Sequence, residues 1–308
     1  MAETVQSGLA RAPQLVRAAQ VAREAEVRQS ANGVRFATYG ETGVDGVDLD
    51  RMLEAVPNAI VGALKANTYY FVPLALRENA DTFEGSGGLG LKAKTPEHAM
   101  VAGAYTEAFG DAAICHRDVE LGSGKRGVFI STRLMGDRFA LSFEFFINVA
   151  HAFVDQAGVP ESFAELVWSQ AVSGVRGETS MDAWEARNLA LGRPANAEPE
   201  VAGSRKIRTL AAGSASRKFG GSVAGLAAGA DVKAVDEKER GLFVESAFSD
   251  AVAIYLLSLA LDFDYSELRE REYPLLAPAG LAARLKLVSE LFPPNAGYEF
   301  AVKYRRRA

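Results

Sequence analysis

Between residues 13 and 29, Leu15, Ala18, Ala19 and Ala22 recur at helical spacing, which predicts a first helix. Asn32 and Gly33 stop it, and Val34–Tyr39 alternates as a strand does. The stretch 48–64 predicts a second helix bent at Pro57. Thr68–Leu76, dense in aromatic and β-branched side chains, predicts a strand. Pro96 opens a predicted helix reaching Phe109. Strands are expected at 112–120 and 127–133, around a hairpin turn at Gly122-Ser123-Gly124-Lys125. The run 136–157, GDRFALSFEFFINVAHAFVDQA, is a long apolar helix that carries His151 and is closed by Gly158 and Pro160. Further helices follow at 162–173, at 181–191 with Thr179 or Ser180 as cap, at 239–261 and at 281–291. Strands interleaved with helices in this irregular order predict an α+β fold, a mixed sheet with helices.

Residues 193–235 break the pattern. They are rich in Gly, Ala and Ser with few large apolar groups, so a linker or insertion is expected there. The chain then divides into an N-terminal α/β part (1–110), a hairpin and helix region (111–192), the linker (193–236) and a C-terminal helical part (237–308).

Composition narrows the function classes. The chain has 308 residues, of which 48% are hydrophobic, enough for a sizeable core. A net charge of −5 with well-mixed signs argues against nucleic acid as a partner. Cys115, the single cysteine, excludes an intramolecular disulfide and a thiolate zinc cluster. No apolar run approaches roughly 18 residues, so no membrane span and a cytoplasmic setting are expected. Gly85–Gly90 satisfies GxGxxG, but RENADTF before it is polar and no helix opens at its last Gly, so it reads as a loop.

His98, His116 and His151 are the only histidines. His151 and Asp155 lie four apart on one helix face, the spacing by which a helix offers two ligands to one metal. In zinc peptidases a Glu follows the first His and serves as general base for the metal-bound water. Here that position is Ala152, whose methyl group takes no proton.

The order strand, hairpin, strand, His151 helix, and then a helix reading ESAFSDAVAIYL from Glu245 to Leu256, resembles the gluzincin branch of the zincin metallopeptidases, in particular their lethal-factor-like members. Glu272-Tyr273-Pro274 and the helix ending Glu290-Leu291-Phe292 are similar to the end of those domains. The resemblance covers about residues 110–160 and 240–292. It implies a zincin-like fold whose working positions would be His151, Ala152, Asp155 and Ser246, so that only the first His is retained. Asp155 replaces the second His and Ser246 replaces the third ligand, a Glu. A neutral serine hydroxyl is a poor zinc ligand, so no cofactor and no zinc are expected. Glu245, one residue off register, is the remaining carboxylate from which a His–Asp–Glu site for a harder metal would be completed.

Zincins also hold substrate extended along the edge strand above the metal helix, a case of β-augmentation. The resemblance implies that this edge is 112–120. Alternation then sets Ile114, His116 and Asp118 on one face and Ala113, Cys115 and Arg117 on the other. The decayed motif, the size and the Ala-rich composition also resemble the peptide-binding proteins of crocagin biosynthesis. That implies a pseudo-peptidase that grips a ribosomally made precursor peptide and presents it to a modifying enzyme, with His116 or His151 as candidate proton carriers. The alternatives are an active metal-dependent peptidase in which Ala152 replaces a native Glu, and a structural or assembly protein.

Overall fold

The computed structural model describes residues 15–77, 99–110, 113–133, 138–197, 236–265 and 273–301. The Gly85–Gly90 loop, His98, most of the expected linker and the terminal arginines lie outside them. The fold is α+β, with the main helical layer on one side of two stacked sheets.

The central sheet has five strands in the order β2 (Arg28–Gln29), β3 (Arg35–Thr38), β4 (Asn67–Val72), β9 (Arg126–Ser131), β8 (His116–Glu120). β3, β4 and β9 run parallel, while β2 and β8 close the margins antiparallel. The second sheet is antiparallel, in the order β1 (Leu15–Arg17), β6 (Ala99–Ala102), β5 (Leu74–Arg77), β7 (Ala113–Ile114).

A continuous apolar strand requires a sheet covered on both faces, and β4 meets that condition. Tyr69 and Phe71 face the helices, where their ring centroids lie 5.1 and 5.7 Å from Phe145. Tyr70 and Val72 face the second sheet, and Tyr70 stacks on Phe129 at 4.5 Å. Val16, Ala75, Ala99 and Val101 of the second sheet fill the same interlayer.

Besides the passage from β1 to β2, the chain crosses directly between the sheets at Pro73 and at Cys115. Ser131 stabilises the corner between them: its Oγ accepts from the Ala75 N–H at 2.8 Å and donates to the Ile114 carbonyl at 2.8 Å. Those bonds replace ladder partners that the bend removes.

The helical layer centres on α5 (Arg138–Ala157) and α8 (Glu237–Ala260), with α6 (Glu161–Val172), α7 (Met181–Ala190) and α9 (Pro278–Leu291) around them. Every residue from Ala251 to Ala260 is buried, so α8 is apolar on all sides. It is long and apolar enough to cross a membrane, yet 78% of its apolar window is buried inside the protein. Asp236 caps α8 and Ser180 caps α7 through side-chain oxygens. One core runs from Val34 to Val288 and draws on each part of the chain expected from composition outside the linker.

Several expected elements differ. The helix expected at 13–29 is β1 followed by a short α1 (Ala18–Glu24), because Leu15–Arg17 pairs with β6. Pro57 does more than bend a helix: it separates α2 (Gly46–Glu54) from a single turn, α3 (Asn58–Val61). The helix expected from Pro96 is instead β6, followed by α4 (Glu107–Gly110). Ala99–Ala102 is small and apolar enough for either state, and pairing with both β1 and β5 decides it.

Behind α8 lies a buried ionic network that composition did not foreshadow. The Glu178 carboxylate receives Arg284 at 2.8 Å and Arg187 at 3.0 Å, and Arg284 Nε donates to Gln170 Oε1 at 2.8 Å. Glu178 is stapled to the segment before α9: its N–H donates to the Pro274 carbonyl and its carbonyl accepts from Leu276. Gly177 makes this approach possible. Its φ is +80°, and a Cβ there would overlap the Leu275 carbonyl. Gly177→Ala is therefore expected to cost about 3 kcal/mol, read as a lowered urea midpoint, through left-handed strain and displacement of this staple. A midpoint equal to wild type would show that the segment yields freely.

Candidate functional site

The segment expected to form one edge strand, 112–120, is divided between the sheets over its described residues. Ala113 and Ile114 form β7 and pair with Leu76 and Ala75 of β5. Cys115 is the bend. The expected alternation of Ile114, His116 and Asp118 therefore does not hold.

His116 begins β8 at 3% exposure. Its Nε2 lies 3.1 Å from the Met100 carbonyl oxygen, which can only accept, so that nitrogen carries the proton. The ring thereby ties the central sheet to the second one. Arg117 and Asp118 then both face solvent at a register shift, with Asp118 at φ 55°, and Val119 turns back into the interlayer. This is a β-bulge, which bends a margin strand and aims side chains that regular pleating would bury.

β8 is nonetheless the margin of the central sheet, antiparallel to β9. Val119 pairs with Gly127, and the Leu121 N–H donates to the Lys125 carbonyl at 2.9 Å. Antiparallel pairs alternate, so the intervening Glu120 turns its N–H and C=O away from β9.

Glu144, Asn148 and His151 lie on one face of α5 by helical spacing. Asn148 Nδ2 donates to the Glu144 carboxylate at 3.0 Å, and the Cys115 thiol donates to Asn148 Oδ1 at 3.6 Å. Burial pushes the Cys115 thiol well up, and the Glu144 charge adds to this, so the sulfur is a neutral thiol rather than a nucleophile. His151 is pushed down to about 4, first by burial and then by the Arg117 charge, with Asp118 opposing. Its imidazole is neutral at physiological pH. The Tyr69 hydroxyl is buried, has no hydrogen-bond partner among the described residues, and is pushed up by burial, with the Asp118 charge adding to it. Tyr69, Glu144 and Asn148 are not among the positions expected from the sequence. The spacing of Glu144 and Asn148 to His151 was the signal that pointed to two of them.

Ala152 is 8% exposed and packs in the main core. Asp155 is exposed one turn further along α5. On α8, Ser246 is half-buried and Glu245 is exposed. Among the described residues no three His, Cys, Asp or Glu side chains converge as a metal requires, so Asp155 and Glu245 do not complete a His–Asp–Glu site. What the cluster can do is hydrogen-bond, through a neutral thiol, amide and imidazole and the Glu144 carboxylate, beside the margin strand of the described sheet.

A pH dependence follows. A histidine depressed in the fold contributes stability that is present above its unfolded value near 6.5 and lost as pH falls towards 4. Asp250, pushed up to about 6 chiefly by burial, acts in the opposite sense: its contribution is present below about 4 and lost as pH rises through 6. His151→Gln is therefore expected to lose less stability than wild type between pH 7 and pH 4.5, by roughly 2 kcal/mol. Urea titrations at the two pH values check this, and parallel losses in the two proteins would contradict it. Comparison with family models, with curated proteins and with solved structures finds no match to this chain.

Proposed function

We propose that the chain is a non-catalytic, cytoplasmic peptide-binding protein that holds an extended peptide by strand addition along β8. Its occupant would be a ribosomally made precursor peptide, gripped while another enzyme modifies it. The observation that carries the reading is β8 itself: an antiparallel margin strand beside β9, with Glu120 offering its backbone outward. Backbone pairing supplies affinity with little demand on peptide sequence, and the bulge, with Arg117 and Asp118 exposed, supplies side-chain selectivity. Beneath the strand stands a neutral imidazole, beside an alanine where a peptidase carries its base. The buried position of Ala152 favours this over the active-peptidase alternative, since a carboxylate there would need a partner inside the core.

Native mass spectrometry of the full chain, mixed with tryptic casein peptides and zinc, tests the proposal. The expected result is a one-to-one complex with intact peptides and no retained metal. A retained equivalent of zinc together with shortened peptides would replace this reading with a metallopeptidase.

A further inference from the structure

Away from β8, a cavity of about 570 Å3 opens where β3 and β9 end. These strands are parallel neighbours of β4, and the carboxyl ends of parallel strands are where open α/β sheets receive ligands. Its volume lies in the range of small-molecule sites. Leu49 and Met52 of α2 and Leu141 of α5 supply its apolar lining, and Tyr105 adds an aromatic wall.

The charged groups of the lining are mostly engaged within the fold. Asp45 caps α2, accepting from Val47 and Asp48. Asp48 is paired with Arg138 at 2.9 Å. Arg133 remains, with no carboxylate partner among the described residues. Its position is built: Thr132 Oγ1 donates to the Thr42 carbonyl at 2.8 Å, tying the two loops, and the Arg133 N–H donates to the Pro73 carbonyl at 3.1 Å. Gly43, at φ +66°, clears the space that the guanidinium occupies, because a Cβ there would overlap Arg133 Nη1. Guanidinium is the group suited to two-point recognition of a carboxylate.

We infer that this cavity binds a small amphipathic carboxylate, its chain against Leu49, Met52 and Leu141 and its carboxylate on Arg133. A free apolar amino acid and the C-terminal residue of a peptide share that chemistry. The site is separate from β8 and does not depend on strand addition there.

Calorimetry on the full chain tests it with three probes: leucine, acetyl-leucyl-leucine as the free acid, and the same dipeptide as its C-terminal amide. At least one acid is expected to bind, with the amide at least about tenfold weaker. Binding of leucine identifies the free amino acid as the source, and binding of the dipeptide acid alone identifies a peptide end. Arg133→Met is expected to weaken the acid about tenfold or more and to leave the thermal midpoint near wild type, because the side chain is exposed. Glu120→Pro is expected to leave acid binding unchanged. The inference is overturned if no probe binds, if the amide binds as tightly as the acid, or if Arg133→Met binds the acid as wild type does.

Discussion

Glu178→Gln is expected to destabilise the protein by about 3–5 kcal/mol, the largest single effect foreseen here. Glu178 and Arg284 are both fully buried, and Arg187 is nearly so. The amide keeps the shape of the side chain but removes the charge that two guanidinium groups share. It also turns an NH2 donor towards Arg284 Nη1 or Nη2, which are donors themselves. Breaking a buried pair is costly because the remaining charge stays inside without compensation. With a total stability of about 5–15 kcal/mol for a typical domain, such a loss leaves a marginal fold. Urea unfolding followed by circular dichroism measures it. Adding Arg284→Met to Glu178→Gln is expected to cost less than the sum of the two single changes, since the second removes the stranded cation. A Glu178→Gln loss under about 1 kcal/mol would show that solvent reaches this network.

Glu120→Pro is expected to abolish strand addition while leaving the fold intact. Val119 pairs with Gly127 and Leu121 donates to Lys125, so the N–H that proline removes at position 120 points to the margin, not into the β9 ladder. Proline is tolerated in margin strands at such positions. Peptide affinity should fall at least about tenfold, with an unfolding midpoint within about 1 kcal/mol of wild type. Val119→Pro is the contrast: it deletes an N–H directed at β9 and should destabilise the sheet itself. Wild-type affinity in a folded Glu120→Pro protein would remove β8 as the binding margin.

Much of the helical layer was legible before any coordinates. The helices at 136–157, 162–173, 181–191 and 239–261 match α5, α6, α7 and α8 closely, because long apolar periodicity and caps such as Ser180 act locally. The hairpin at Gly122–Lys125 was equally local: Gly122, Ser123 and Gly124 all adopt positive φ. The short segments were not legible. Leu15–Arg17 and Ala99–Ala102 are strands because they pair with each other, and a pattern of a few apolar residues carries no information about a partner over 80 positions away.

The candidate site divides in the same way. His151 was legible as the one histidine of an apolar helix, and its low pKa follows first from burial that the helix pattern implies. The expected alternation through Ile114, His116 and Asp118 failed because alternation assumes one strand in one sheet. Here the chain changes sheets at Cys115 and bulges at Arg117 and Asp118.

By itself, the sequence determined the long helices α5 to α8, where the tight turn falls and that no proton acceptor follows His151, because each depends on residues near one another along the chain. Only the tertiary structure decided that the expected edge divides between sheets at Cys115, that Ala152 faces the core, and that Glu178 gathers Arg187 and Arg284. The physical reason is that strand pairing and charge burial are settled between residues far apart in the chain, where the free energy of contact, and not local preference, selects the arrangement.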